Sequence, residues 1–186
     1  MQQPAIRPAA QVVYQAALES LTRAVQAEQQ PALIEELRSR CGYDLRRPQR
    51  EYSPEVARKV LDLLTERCFP DLPRVDAYEE FGRRAFAAYR ATVVGRVIMA
   101  ALHMATTFHA LQLAAQAFKS VSNYTRFEVI PDGPRAAVFR AHHSILHPRY
   151  MLGLLDGLLT ASGHRDAMIT VDAAHAPALA DYHVRW

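Results

Sequence analysis

The sequence predicts an α+β fold, with N-terminal helices packed on a C-terminal four-stranded antiparallel sheet that carries one inserted helix. Up to about Ser122 the apolar residues recur at helical spacing, and from Asn123 onward they fall into short alternating runs broken by turn residues. The closing stretch alternates most strictly. Ala180, Tyr182, Val184 and Trp186 interleave with Asp181, His183 and Arg185, the pattern of a strand with one face buried and the other in water.

Residues 1–10 read as a flexible leader with two prolines, and 11–186 as one α+β domain with a helical part (11–122) and a sheet part (123–186). Gln11 to Ala27 carries Val13, Ala17, Leu21, Ala24 and Val25 on one helical face. Pro31 restarts the chain, and Leu33, Ile34 and Leu37 make a short helix that Gly42 ends. Tyr43 to Tyr52 reads as linker. Ser53-Pro54-Glu55 is a helix start: an N-cap hydroxyl, a proline at the first helical position and an acid in the first turn. That helix runs to about Cys68, and Phe69-Pro70-Asp71-Leu72-Pro73 stops it.

Asp76 is placed as the cap of the next helix, with Tyr78, Phe81, Ala85, Phe86 and Tyr89 on one face. Glu79–Arg83 and Glu80–Arg84 stand on the other as surface pairs. Val93 to Met104, apolar nearly all round, is expected to be a buried central helix, and Thr106 or Thr107 recaps a last helix reaching Phe118. Arg126–Val129 and Ala137–Ala141 then alternate about the turn Pro131-Asp132-Gly133-Pro134. Pro148 opens a helix bearing Tyr150, Leu154, Leu155 and Leu158 that Ser162-Gly163 closes, with Ile169 and Val171 as a third strand. Gly153 and Gly157 share one face of that helix, where small residues permit close approach, and Asp156 between them is expected to be exposed.

Composition narrows the function. Net charge is +3, and the densest basic spot, Arg46-Arg47-Pro48-Gln49-Arg50, is short, flanked by acids and free of aromatics, so nucleic acid is not an expected partner. The longest apolar stretch, Val97–Met104, is far below the ~20 residues a membrane span needs. Cys41 and Cys68 form no CxxC pair or framework, and Arg7 and Pro8 occupy the place of a signal peptide's apolar core. Together these suggest a cytoplasmic protein.

No GxSxG, SxxK, HExxH or glycine-rich phosphate loop occurs, so no catalytic residue is assigned. Of eight histidines, His142, His143 and His147 lie closest in sequence, but neighbours in a strand point to opposite faces, and no metal site is assigned. The aromatic residues offer both a core and the lining of a cavity between helices and sheet. Phe86, Tyr89, Phe118 and Tyr150, with His109, are the ligand-binding candidates.

Several spaced elements also carry a family resemblance. Gly82-Arg83, Tyr89, Thr92, Gly95-Arg96, Ser122-Asn123-Tyr124-Thr125-Arg126, Tyr150, Gly153, Gly157 and the closing Tyr182-His183-Val184-Arg185-Trp186 resemble the roughly 200-residue myxobacterial paralogues of unknown function, from about Ala16 onward. More distantly the layout is similar to the superfamily of 4-vinyl reductase domains, haem nitric-oxide/oxygen-binding domains and TRAPP subunits, whose members bind a ligand between helices and sheet or assemble through their helices.

The haem branch pairs a proximal histidine with a downstream proline and a Tyr-x-Ser-x-Arg motif. Here Tyr124 is followed by Thr125-Arg126-Phe127, and no proline stands between His103 or His109 and that point, so no cofactor is expected and haem is set aside. The resemblance implies a non-enzymatic sensory or regulatory module that binds a small apolar ligand and signals to a protein partner. The alternative is a dimerisation module with a filled core.

Overall fold

A computed structural model describes residues 10–186, so the expected leader lies outside the described residues except for Ala10. The first element among the described residues is a short strand, where a helix was expected. Val13–Tyr14 (β1) pairs antiparallel with Glu51–Tyr52 (β2), and helix α1 covers Gln15–Ala24. The cause is tertiary. The Tyr14 N–H donates to the Val121 carbonyl at 2.9 Å and the Asn123 N–H to the Val12 carbonyl at 3.2 Å, while the Asn123 side chain reaches the backbone of Ala10 and Val12. Long-range pairing of this kind overrides local helical periodicity.

Helix α2 (Pro31–Glu36) continues through a π-helical turn to Cys41, and Gly42 closes it at φ 74°, a conformation that glycine adopts without steric cost. Helix α3 (Pro54–Cys68) starts as read, with the Ser53 hydroxyl accepting the Val56 N–H at 3.3 Å. Helix α4 (Arg74–Arg90) starts earlier than Asp76, because Pro73 already sets a helix-entry φ of −51°. Asp76 instead places its charge in the first turn.

Helix α5 (Val93–His103) is capped by Thr92, and α6 (Thr107–Phe118) by Thr106, whose hydroxyl accepts the His109 N–H. The expectation of a buried central helix fails at α5. Met99 and Leu102 are covered, but Val93, Val97 and Met104 are 70, 68 and 89% exposed. The chain bends by 100° between α4 and α5, and the Gly95 backbone lies against the Tyr89 carbonyl, so α5 is packed on one side only. Among the described residues no single helix is long and apolar enough to cross a membrane.

Strands β3 (Arg126–Pro131), β4 (Ala136–His142), β5 (Met168–Asp172) and β6 (Leu179–Arg185) form an antiparallel sheet in the order β3-β4-β6-β5, with helix α7 (Pro148–Ala161) inserted before β5. Phe127, Phe139, Ala141, Tyr182 and Val184 face inward and are buried, as the alternation required. On the outer face Arg140 donates twice to Asp181 at 2.7 Å across the β4–β6 pair.

Two apolar clusters result. One joins α1–α4 around Leu18, Leu37, Tyr43, Leu64 and Phe81, and the other joins α5–α7 to the sheet around Leu111, Phe139, Met151 and Tyr182. Helices α4 and α7 connect them. A Cβ on Gly82 would meet the Tyr150 carbonyl, a Cβ on Gly153 would meet the Glu79 carbonyl, and Gly157 faces the Phe86 ring. The small-residue face of 153 and 157 therefore packs on a helix.

Charges flank this seam. Arg83 donates to Asp156 at 2.6 Å and pairs with Glu79 and Glu80, and Arg149 reaches Glu79 at 3.2 Å. Asp156 is thus half-buried and paired, against the expectation of exposure. Arg84 turns away from Glu80 and donates to the Ala24 carbonyl at 3.0 Å.

Gly153→Ala is expected to destabilise the protein by about 3 kcal/mol, lowering Tm by roughly 6–12 °C, despite the better helix propensity of alanine. Gly157→Ala, whose Cβ would stand 3.2 Å from the Phe86 side chain, should stay within about 1 kcal/mol of wild type. Thermal and urea unfolding of the two variants checks both values.

Candidate functional site

The residues chosen from sequence are dispersed. Phe86 is buried against Gly157 and stands 6.3 Å from Tyr89, ring centroid to ring centroid. Tyr150 is buried beside Phe81 in the helical cluster. Phe118 packs on Phe127 and Phe139 at the sheet, and His109 is exposed at the start of α6. Of these five, His109 lines a shallow cleft of about 230 Å³ between α6 and β3 that also includes Gln112, Lys119 and Phe127.

The larger opening lies elsewhere. A cleft of about 1210 Å³ is walled by the first turns of α3 and α4, the β4–α7 loop and the β5–β6 loop, with Tyr124 also in its lining. Each wall has a local cause. Ser53 and Pro54 fix the start of α3, Pro73 fixes the start of α4, and His147 caps α7, its Nδ1 accepting the Arg149 N–H at 3.3 Å. His143 holds a left-handed φ of 53°, with its N–H donating to the Ala178 carbonyl at 2.9 Å. That contact ties the β4–α7 loop to the β5–β6 loop.

One polar constellation lies on the wall. The His147 imidazole stacks on the Tyr78 ring with centroids 4.0 Å apart and planes 8° off parallel. The Tyr78 hydroxyl donates to Asp62 at 2.5 Å and accepts from Arg74 at 3.1 Å, and Arg74 also reaches Asp62 at 3.3 Å. Burial, reinforced by the bond to Asp62, raises the Tyr78 pKa against the pull of Arg74. Burial also lowers the His147 pKa, helped by the cations Arg74 and Arg149 and opposed by Asp62, so the ring is neutral at pH 7.

With Nδ1 accepting a backbone N–H, a neutral His147 carries its proton on Nε2. Tyr124 is pushed up to about 12 by burial, and its hydroxyl has no hydrogen-bond partner among the described residues. Burial likewise raises both thiols, Cys41 and Cys68, which disfavours the nucleophilic thiolate form.

Sequence reasoning left this cleft out. Tyr78 and Tyr124 figured only as general aromatic candidates and His147 as one of a histidine group, because no periodicity gathers segments as distant as 53–62 and 171–178.

The family model that matches this chain is described as a protein of unknown function (DUF2378), and it covers residues 11–186. The chain belongs to this family. The DUF2378 chain is also similar in structure to H-NOX proteins. The Fe(II) unliganded H-NOX protein from K. algicida matches at TM-score 0.60 and 12% identity, over 92% of this chain and 95% of that one. An oxygen-binding H-NOX domain related to soluble guanylate cyclases matches at 0.61 and 12%, over 92% and 93%. A point variant of T. Tengcongensis H-NOX matches at 0.56 and 14%, over 92% and 96%. No curated protein matches the sequence. These likenesses establish an H-NOX-like fold for the DUF2378 chain, as the resemblance implied.

They also correct the expectation of no cofactor, since neighbours sharing the fold include an Fe(II) protein and an oxygen-binding one. In the DUF2378 chain, α6 rests on the sheet through Phe118, Phe127 and Phe139, with ring centroids 5.4–6.2 Å apart. His103 and His109 are exposed, and the His103 Nδ1–H donates to the Met99 carbonyl at 2.7 Å. Among the described residues no three His, Cys, Asp or Glu side chains are gathered as ligands for a metal ion.

The His147 environment sets a pH response. Its folded pKa lies below 6.5, so the unfolded chain binds the proton first as pH falls. The associated stability is complete above about pH 6.5 and is lost as pH drops through the folded pKa. His147→Asn keeps a capping side chain and removes the titration, so its stability should fall less than that of wild type between about pH 7 and pH 5. Urea unfolding across that range is the check, and equal slopes would refute the assignment.

Proposed function

We propose that this protein is a ligand-responsive regulatory module with no reaction of its own, which holds a small, largely apolar molecule in the cleft between α3, α4 and the sheet loops. The observation that carries this reading is the cleft itself. It is about 1210 Å³ in volume, within reach of the usual range of ligand sites, and its wall includes Tyr124, whose buried hydroxyl has no hydrogen-bond partner among the described residues. A buried hydroxyl without a partner costs free energy, and a ligand that supplies the partner recovers it.

The H-NOX neighbours support the reading, since one of them is an oxygen-binding domain of the same fold. So does the absence of a catalytic motif in the sequence. The signal would leave through α5 to a protein partner in the cytoplasm. This helix is joined to the cleft by α4, whose first turns form the wall and whose last turn meets Gly95.

A second reading, the interaction module or homodimer, draws on a specific observation. Val93, Val97 and Met104 project from α5 uncovered, an apolar stripe of the kind that marks an interface.

The deciding experiment is native mass spectrometry of the full chain purified from cells, with absorbance spectra taken in parallel. The expected result is a stoichiometric small molecule that leaves on denaturation. At 100 times its dissociation constant, adding it back to the stripped protein should raise stability by about 2.7 kcal/mol, or Tm by roughly 5–10 °C. An apo mass with no thermal response, together with a concentration-dependent dimer, would establish the interaction module instead.

A further inference from the structure

If the cleft is a ligand site, its polar groups identify the ligand, and this inference rests on that reading. The charged side chains in the lining are Glu55, Arg58, Asp62, Arg74 and Arg149. Four are engaged. Glu55 pairs with Lys59 at 2.8 Å, Asp62 accepts from Tyr78 and Arg74, and Arg149 pairs with Glu79 at 3.2 Å. Arg58, one turn before Asp62 on the exposed side of α3, has neither a hydrogen bond nor an ion pair among the described residues.

Two further polar groups are unengaged. One is the Tyr124 hydroxyl. The other is His147 Nε2, which carries the ring proton because Nδ1 already accepts the Arg149 N–H. The hydroxyls of Ser53 and Ser144 both accept backbone N–H groups, from Val56 and Leu146. His143 and Gln11, able to donate or accept, are exposed at the rim.

The unengaged donors of the lining residues are thus the Arg58 guanidinium, on the exposed side of α3, the buried Tyr124 phenol O–H and the His147 imidazole N–H. All three are donors, and both carboxylates of the lining are already satisfied. The rest of the wall is apolar, including Leu61, Val75, Ile145, Leu146 and Val171. A neutral hydrocarbon would leave the Tyr124 and His147 donors unmatched, and a cationic ligand would meet Arg58 with no free carboxylate to receive it.

We infer that the cleft binds a small amphipathic organic anion, a carboxylate or similar acceptor group on an apolar body, received by Arg58, the Tyr124 hydroxyl and His147 Nε2.

Two probes with one apolar skeleton test this on the full-length protein: 8-anilinonaphthalene-1-sulfonate, an anion, and N-phenyl-1-naphthylamine, which lacks the charge. Fluorescence titration should give saturable binding of both, with the sulfonate at least about tenfold tighter, as a charge-assisted hydrogen bond implies. Arg58→Gln, a change on the exposed side of α3, should remove that advantage and leave binding of the neutral probe unaltered. Tyr124→Phe should weaken the sulfonate several-fold while keeping or raising Tm, since it deletes a polar atom that has no partner. Val97→Asp on α5 should change neither titration.

If both probes bind equally well and Arg58→Gln has no effect, the anion assignment is wrong and the ligand-binding reading stands. If neither probe saturates, the ligand-binding reading itself fails. Loss of the sulfonate in Val97→Asp, with Arg58→Gln unaffected, places the probe on α5 and overturns the inference.

Discussion

Along α4 and α7 the residue pairs advance together: Tyr78 with His147, Gly82 with Gly153 and Phe86 with Gly157. The two helices therefore run in the same direction, and at Gly82 and Gly153 they meet backbone to backbone, with no side chain between. A larger residue at either position would force them apart, and the effect would not remain local. The four N-terminal helices pack into one cluster and the sheet with α5–α7 into another, and this seam is the main contact that joins them. The ion pairs from Arg83 to Asp156 and from Arg149 to Glu79 border the seam. Partly exposed pairs of this kind contribute at most about 1 kcal/mol each, so they orient the helices more than they hold them. The close packing at the glycines has the greater effect, because it allows dense contact over the length of both helices.

The same seam determines where the cleft is. With α4 and α7 locked in register, the start of α7 must lie over the start of α4, which brings His147 onto the Tyr78 ring. That stack is one wall of the cleft, and the loop leading into it, from His143 to His147, is drawn over the opening by the His143–Ala178 hydrogen bond. The cleft is thus a geometric consequence of two glycines several residues from it. Its polar character comes from different residues. Arg74, Asp62 and Tyr78 satisfy one another, and this leaves Arg58, Tyr124 and His147 with donors to offer.

Much of the architecture was legible in the sequence, because it rests on local rules. Strand alternation from Arg126 onward, the Ser53 cap, the Gly42 stop and the helix opened by Pro148 each involve a few neighbouring residues and appear as read. The misreadings share one cause, which is that a partner distant in sequence decided the outcome. Val13 joined a strand because Tyr52 pairs with it, while Val121 and Asn123 hydrogen-bond its neighbours Tyr14 and Val12. Asp156 is paired because α4 presents Arg83 to it. An apolar composition made α5 look buried, whereas burial depends on what else the fold brings alongside, and none of the described residues covers Val93, Val97 and Met104. The five ligand candidates were chosen as aromatic or histidine positions that core and pocket use alike, and the structure disperses them. The cleft was not legible because its residues come from six separate stretches, none of which carries a motif.

The distribution of open and filled space in this H-NOX-like fold bears on how a binding event could be reported. Between α6 and the sheet the interior is filled by the rings of Phe118, Phe127, Phe139 and Tyr182. The open volume lies instead at the N-terminal turns of α3 and α4. Helix α4 has 17 residues and at 1.5 Å per residue spans about 25 Å from the cleft to the bend at Gly95. A helix of this length, locked along one side by glycine contacts, moves as a rigid body more readily than it deforms. A ligand that displaces Arg74 or Tyr78 therefore acts on the seam, and through the tight Tyr89–Gly95 contact on the orientation of α5. The exposed stripe of α5 lies at the far end of α4 from the cleft. In the function we propose, the cleft is the receiving site and the stripe of α5 the output surface, with α4 joining them, since a ligand shifts a conformational equilibrium only through contacts that differ between its two states.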